Sequence, residues 1–361
     1  MPGHVIPKRY ISQVLFWLLL LAACSKKDQT LSPPSSAADF LSFGFQSQND
    51  TANINPYNHF IILHTPYSLS SGTELAPQFS LSPGATATVN QVSQISGATK
   101  NNFEQDLIYT VTAADQKTTQ SWTVQATNND FSLDWGLGHF ISSANTLDRN
   151  YEWYIDQGSS GTFSYFNCGP ASVTMAIKWS DSAFTHTAQE ARETYETGGG
   201  WWYTNDIDNY LTKYNTPHVI IPLSADAKET RQLLIDQLSH QQIVILCIDM
   251  NYVRSSGDPD YRVDKFYPTT PAWGHFFVVK GYQQIDGEVF FQIYDPYSIG
   301  LKYADNTFKG RNRFYRYEDV AAATSSWWNY AIIVAKKGET VNENAVHHAV
   351  KPSDIQHAHG Y

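Results

Sequence analysis

The chain has 361 residues, 42% hydrophobic and only 16% charged, which is enough apolar material for two packed domains plus targeting and tail segments. With 24 Lys+Arg against 34 Asp+Glu the net charge is -10, and so acidic a balance argues against nucleic acid as a partner. Three cysteines, Cys24, Cys168 and Cys247, are too few for a disulfide framework, so each needs its own explanation.

At the N-terminus, Lys8 and Arg9 precede an apolar run from Val14 to Ala23. That run is too short to span a bilayer and suits the core of a signal peptide. It ends in Leu21-Ala22-Ala23-Cys24, which resembles the lipobox of bacterial lipoproteins. The resemblance implies that residues 1–23 are removed and that Cys24 carries the lipid, anchoring the chain in the bacterial envelope at the outer membrane. Each buried CH₂ of such an anchor contributes roughly 0.8 kcal/mol. Residues 24–38, rich in serine with two prolines, read as a flexible tether.

Residues 39–127 read as all-β. Phe60-Ile61-Ile62-Leu63 and Leu107-Ile108-Tyr109-Thr110-Val111 are short runs of β-branched and aromatic residues, separated by turn signals such as Ser82-Pro83-Gly84. The segment resembles the immunoglobulin-like sandwich domains at the N-terminus of surface lipoproteins in the Bacteroidetes lineage, which implies a spacer or adhesion role. His59 and His64 are isolated and carry no metal pattern. Residues 128–150 read as a linker, and Gly136-Leu137-Gly138-His139 is too short for a phosphate loop.

Residues 151–337 mix helix and strand signals in the order expected of an α+β domain. A helix is predicted from Cys168 to Trp179, with Pro170 suited to its first turn. Thr187 and Glu190 form a capping box for a second helix, and Asn205–Tyr214 and Lys228–Ser239 are further candidates. Strands follow at Ile243–Ile248, Phe276–Tyr282, Val289–Tyr294 and Tyr330–Val334.

The strongest chemical signal is Asn167-Cys168-Gly169-Pro170-Ala171-Ser172, a cysteine at a helix start. Free amides there stabilise a thiolate, and Gly169 would let a substrate backbone come close. A cysteine nucleophile needs a base and a group to orient it. His275, in Trp273-Gly274-His275-Phe276, stands at the lip of an apolar strand, and Asp295 ends the next one. A two-residue turn at Asp286-Gly287 would pair Asp295 with Val278 and put it on the opposite face from His275. A bulge, a longer turn or non-neighbouring strands would have to correct that register.

Asp156-Gln157, Asn167-Cys168-Gly169-Pro170-Ala171-Ser172, Gly274-His275 through Gly281 and Tyr294-Asp295-Pro296 together resemble the papain-like peptidases related to bacteriocin leader-processing enzymes. This is cysteine peptidase family thirty-nine, in its stand-alone branch. The resemblance implies helices packed on a mainly antiparallel sheet, a Cys168–His275–Asp295 triad hydrolysing peptide bonds through a thioester, and no cofactor or metal. It also implies an oxyanion donor upstream of the cysteine, with Gln157 and Asn167 as competing candidates. Gln157 lies further from Cys168 than the family spacing allows unless Gly158–Phe166 is an insertion. Trp273 and the Trp201-Trp202-Tyr203 run are candidates for the substrate cleft. Cys247, within an apolar run, reads as buried, and residues 338–361, with four histidines, read as a disordered polar tail. The expected partner is a peptide or protein substrate met by a monomer. Two alternatives remain: a transglutaminase-like acyl transferase, and a non-catalytic adhesin binding peptide or glycan on a peptidase scaffold.

Overall fold

A computed structural model describes residues 33–45, 51–64, 74–128 and 135–354. Residues 1–23, Cys24, most of the 24–38 tether and the last part of the 338–361 segment lie outside the described residues.

The N-terminal region is mostly β. Its strands are β1 (Phe40–Gly44), β2 (Thr51–Asn55), β3 (Phe60–His64), β4 (Glu74–Leu75), β5 (Gln78–Leu81), β6 (Thr86–Val89), β7 (Val92–Ser93), β8 (Asn101–Asn102), β9 (Leu107–Thr112) and β10 (Thr119–Thr127). Among the described residues the main sheet runs β2-β3-β10-β9-β6-β7, with β3 and β10 parallel and the other pairs antiparallel. Period-two alternation along β9 and β10 sends Tyr109, Val111, Trp122, Val124 and Ala126 to one face, where all are fully buried. The β1–β5 ribbon covers that face, its Phe40, Phe43 and Phe79 meeting Tyr109 and Trp122 edge-on at centroid distances of 5.5 to 6.3 Å.

The C-terminal region is mixed α/β and built on one antiparallel sheet. Its strands are β11 (Ile141–Thr146), β12 (His218–Pro222), β13 (Ile243–Asp249), β14 (Gly274–Ile285), β15 (Glu288–Tyr294), β16 (Arg313–Arg316) and β17 (Tyr330–Val334). They order as β12-β17-β13-β14-β15-β16, with β11 added along the far half of β14. Among the described residues six α-helices accompany them: α1 (Cys168–Ser180), α2 (Ala188–Thr194), α3 (Thr204–Lys213), α4 (Ala227–Ser239), α5 (Tyr317–Ser325) and α6 (Glu343–His347). Every residue of α1 except Lys178 is buried, because the helix is small and apolar nearly all round and packs against β13 and β14. The Thr187–Glu190 capping box opens α2, with both reciprocal hydrogen bonds formed.

Four stretches differ from the sequence expectation. The expected linker 128–150 contains β11, an edge strand whose polar residues alternate outward, so its composition reads as loop. Strands β12 and β16 and helix α5 were not legible: β12 ends in Pro222, and α5 follows β16 without a break. The expected polar tail is ordered over its first part. There α6 packs against β12, Val341 and Ala345 are buried, and the Val350 amide donates to the Ile220 carbonyl at 2.8 Å. Among the described residues, no helix is long and apolar enough to cross a membrane.

Candidate active site

Cys168 is the first residue of α1 and is 6% exposed. The helix start aims backbone amides at its sulfur, and those of Gly169 and, from β14, Phe276 both reach it. The imidazole of His275 also hydrogen-bonds the thiol. Burial pushes the Cys168 thiol up, but the His275 hydrogen bond and charge, with the two amides, bring it below the ordinary thiol value.

The register question at Asp295 is resolved by a bulge. The Asp286-Gly287 turn is the expected two-residue one, and Ile285 pairs with Glu288. Between Val279 and Gly281 the register shifts by one residue, at Lys280, so that Val278 pairs with Tyr294. Asp295 therefore comes level with Phe277, on the same face as His275. His275 Nε2 donates to Asp295 Oδ1 at 2.7 Å. The other ring nitrogen, Nδ1, is left for the thiol.

Asp295 is fully buried and accepts three further hydrogen bonds. The Tyr297 amide donates to Oδ1 at 2.8 Å, and the Tyr267 and Tyr315 hydroxyls donate to Oδ2 at 2.8 and 2.6 Å. Burial alone would raise its carboxyl, but His275 and these donors hold it below the usual carboxylate range. Burial likewise pulls the His275 imidazole down, yet the Asp295 charge and hydrogen bond, with the Cys168 sulfur, push it up to about 10. The three groups thus favour a thiolate, an imidazolium and a carboxylate in one dry cluster. The two tyrosines were missed in the sequence because nothing in their spacing ties them to Asp295.

The two candidate oxyanion donors are otherwise engaged. Gln157 Nε2 donates to the carbonyls of Ser164 and Tyr165 at 2.9 and 3.3 Å. Asn167 Nδ2 donates to Ser160, and its Oδ1 accepts from Arg192 Nε at 2.7 Å. Buried Arg192 also donates to the carbonyls of Phe166, Glu196 and Gly200, so one guanidinium ties the segment before Cys168 to the glycine loop at 198–200. Nor is the room beside Gly169 open to substrate. A Cβ there would lie 2.7 Å from Trp202 Cβ, so this glycine makes space for Trp202.

A cavity of about 350 Å³ opens beside Cys168, lined by Trp201, Trp202, Trp273, Tyr297, Trp327 and Trp328 among others. Trp273 is placed by Asp249 at the end of β13, whose Oδ1 accepts its amide at 3.1 Å. Cys247, on β13 opposite Phe276, is 3% exposed, and burial pushes its thiol well above the ordinary value. It nevertheless borders the same cavity, which its apolar run did not reveal. Among the described residues, no group of three or more His, Cys, Asp or Glu side chains is arranged to hold a metal ion.

Residues 153–322 match the Peptidase_C39 like family, and residues 40–126 match the family described as SGBP, N-terminal. No curated protein matches the chain. Among solved structures, a Bacillus anthracis protein assigned as a C39-like peptidase is 15% identical, with a TM-score of 0.37 over 55% of this chain and 100% of that one. A Bacteroides thetaiotaomicron protein assigned as a glycoside hydrolase is 13% identical, with a TM-score of 0.23 over 83% of this chain and 89% of that one.

Proposed function

We propose, for a C-terminal region with general membership in the C39-like peptidase superfamily, that it hydrolyses peptide or amide bonds through Cys168. In this reading the thiolate attacks the carbonyl carbon, and the His275 imidazolium gives its proton to the departing amine. Asp295 holds the ring throughout, and a water activated by the now neutral His275 then releases the acyl group. The observation that carries the reading is the 2.7 Å hydrogen bond from His275 to Asp295, on a ring that also hydrogen-bonds the Cys168 sulfur. With Gln157 and Asn167 engaged, Pro170 without an N–H and the Gly169 amide turned to the sulfur, the Cys168 amide at the start of α1 is the donor left for the oxyanion. Lipid attachment at Cys24, an immunoglobulin-like sandwich at 39–127 and a papain-like topology at 151–337 belong to the same proposal.

A second reading keeps binding and drops the chemistry: a peptide- or glycan-binding surface protein on a peptidase scaffold. The match of residues 40–126 favours it, because it relates the N-terminal region at family level to Bacteroidetes glycan-binding systems, and no match speaks for turnover itself. The near-complete burial of Cys168 and His275 points the same way.

Wild type and Cys168→Ala are to be incubated with a peptide library, with and without an amine acceptor, and the products read by mass spectrometry. Hydrolysis is expected in wild type and its loss by at least about a thousandfold in the variant. Amine adducts in place of acids would indicate acyl transfer. Binding of peptide or glycan by both proteins, with cleavage by neither, would replace the peptidase reading with the second one.

A further inference from the structure

The cavity beside Cys168 has a lining that is narrow in chemistry. Among the described residues that line it there is no Asp, Glu, Lys, Arg, His, Asn or Gln side chain, and the one aliphatic hydroxyl is that of Thr270. Its floor is seated by glycines on either side of the cluster. Gly169, which follows Cys168, leaves room for Trp202, and Gly274, which precedes His275, leaves room for Trp327. Both indoles are buried, at 3% and 6% exposure, whereas Trp201 at the rim is 52% exposed. Tyr297 joins the cavity to the imidazole, its ring edge-on to His275 at 6.0 Å and to Trp273 at 5.9 Å.

A carboxylate entering this space would lose its hydration and meet the Cys168 sulfur with no cation in the lining, a cation would exchange its hydration for ring faces and that sulfur alone, and a sugar would leave most of its hydroxyls unpaired, at about 1–3 kcal/mol each. A flat apolar ring loses nothing of the kind and gains edge and face contacts with indoles. The volume falls within the range of about 300–1,000 Å³ typical of small-ligand sites and is ample for one large side chain.

We propose that this cavity is a specificity pocket for an uncharged aromatic side chain of a peptide, next to the bond presented to Cys168. The proposal rests on the reading of the C-terminal region as one that engages peptides, but not on cleavage. It makes the protein a selector of aromatic residues, not of glycine-rich or charged sequences.

The test uses the full chain and two variants, Cys168→Ala and Thr270→Glu, the latter at an exposed rim position. Binding to Cys168→Ala is followed by tryptophan fluorescence with the capped peptides acetyl-Ala-Phe-Ala-amide, acetyl-Ala-Gly-Ala-amide and acetyl-Ala-Arg-Ala-amide, and with neutral oligosaccharides. Turnover by wild type is followed with the same three peptide cores. The Phe peptide should bind at least tenfold tighter than the Gly or Arg peptide. Thr270→Glu should erase that preference and shift it toward Arg. Tight binding of the Phe peptide without cleavage by wild type would sink the peptidase reading and support the pocket. Cleavage with no preference for Phe over Gly, or fluorescence changes with oligosaccharides alone, would overturn the pocket and leave the chemistry to stand by itself.

Discussion

The two regions of the molecule use aromatic residues for opposite purposes. In the N-terminal region the large rings meet one another: Phe40 touches Tyr109 and Trp122 edge-on, and the space between sheet and ribbon is filled. Their polar tips are satisfied inside, Trp122 Nε1 by the Ala38 carbonyl at 3.0 Å and the Tyr109 hydroxyl by Asn101 at 3.2 Å. In the C-terminal region the indoles of Trp201, Trp202, Trp273, Trp327 and Trp328 stand around an opening next to a thiol. Composition alone shows only that 14% of the chain is aromatic. What separates packing from lining is where the ring is mounted: the packing rings stand on strands that set another ring opposite, whereas the lining tryptophans stand on the loops between elements. The first region is therefore held by its rings, while the second keeps them beside the Cys168, His275 and Asp295 side chains.

The comparison is broken most severely at Asp295. Asp295→Asn keeps the shape and removes the charge, so kcat/KM toward a cleaved peptide should fall about a hundred- to ten-thousandfold. The pH profile gives the sharper reading. In the proposed mechanism the working pair is thiolate and imidazolium, so activity should rise as pH passes the depressed Cys168 value and fall near pH 10, where His275 loses its proton. Without the carboxylate, burial opposes the imidazolium with less to offset it, and the alkaline limb should move to lower pH. An unmoved alkaline limb would mean that Asp295 does not support the ring. Labelling with iodoacetamide at pH 6 should modify Cys168 well before Cys247, and equal rates would count against an activated thiolate.

Trp122→Ala attacks the other region. Emptying a fully buried indole site should destabilise the N-terminal region by about 3–5 kcal/mol, read as a lower thermal transition. Turnover of a short peptide should change less than about twofold. A parallel loss of turnover would show that the regions do not divide the work as described. Arg192→Met should have a smaller effect, about 2–4 kcal/mol, because it strands Asn167 and three carbonyls that the guanidinium now pairs. It should also lower kcat/KM, since the segment before Cys168 loses its tie to the 198–200 loop. Thermal melts and steady-state kinetics on the same preparation check both.

The sequence made Cys168, His275 and Asp295 legible because each sits where a periodic element starts or stops, and the structure brings all three together. Helix α1, the Thr187–Glu190 capping box and strands β13, β14, β15 and β17 were readable for the same reason: long apolar runs or paired capping residues mark them. Tyr267 and Tyr315 were not legible, because their contact with Asp295 is made across sequence separations of 28 and 20 residues with no motif. Strand β11 was lost to its polar composition, and the engagement of Gln157 and Asn167 depends on loop geometry that spacing does not encode. The register argument required a bulge, a longer turn or non-neighbouring strands without choosing among them, and nothing in the sequence pointed to a bulge at Lys280.

That bulge leads to the smallest effect. Lys280 is fully buried and paired with Asp148, its ammonium 4.6 Å from the Tyr294 ring centre, and burial pulls it down to about 8 against the Asp148 charge. One account would make this ion pair the cause of the register shift. The backbone argues otherwise: a Cβ on the next residue, Gly281, would run into the carbonyl oxygen of Asn145 on β11, so the shift follows from how closely three strands approach at a glycine. Lys280→Met keeps that glycine and fills the same volume. Asp148 loses its cation but still accepts from the Thr146 hydroxyl at 3.0 Å, and that carboxylate is 49% exposed and can turn to water. Stability should therefore change by no more than about 1 kcal/mol in either direction, and the His275–Asp295 register and peptide turnover should persist. A loss of turnover comparable to that of Asp295→Asn would instead make the buried cation the device that aligns the carboxylate with the imidazole.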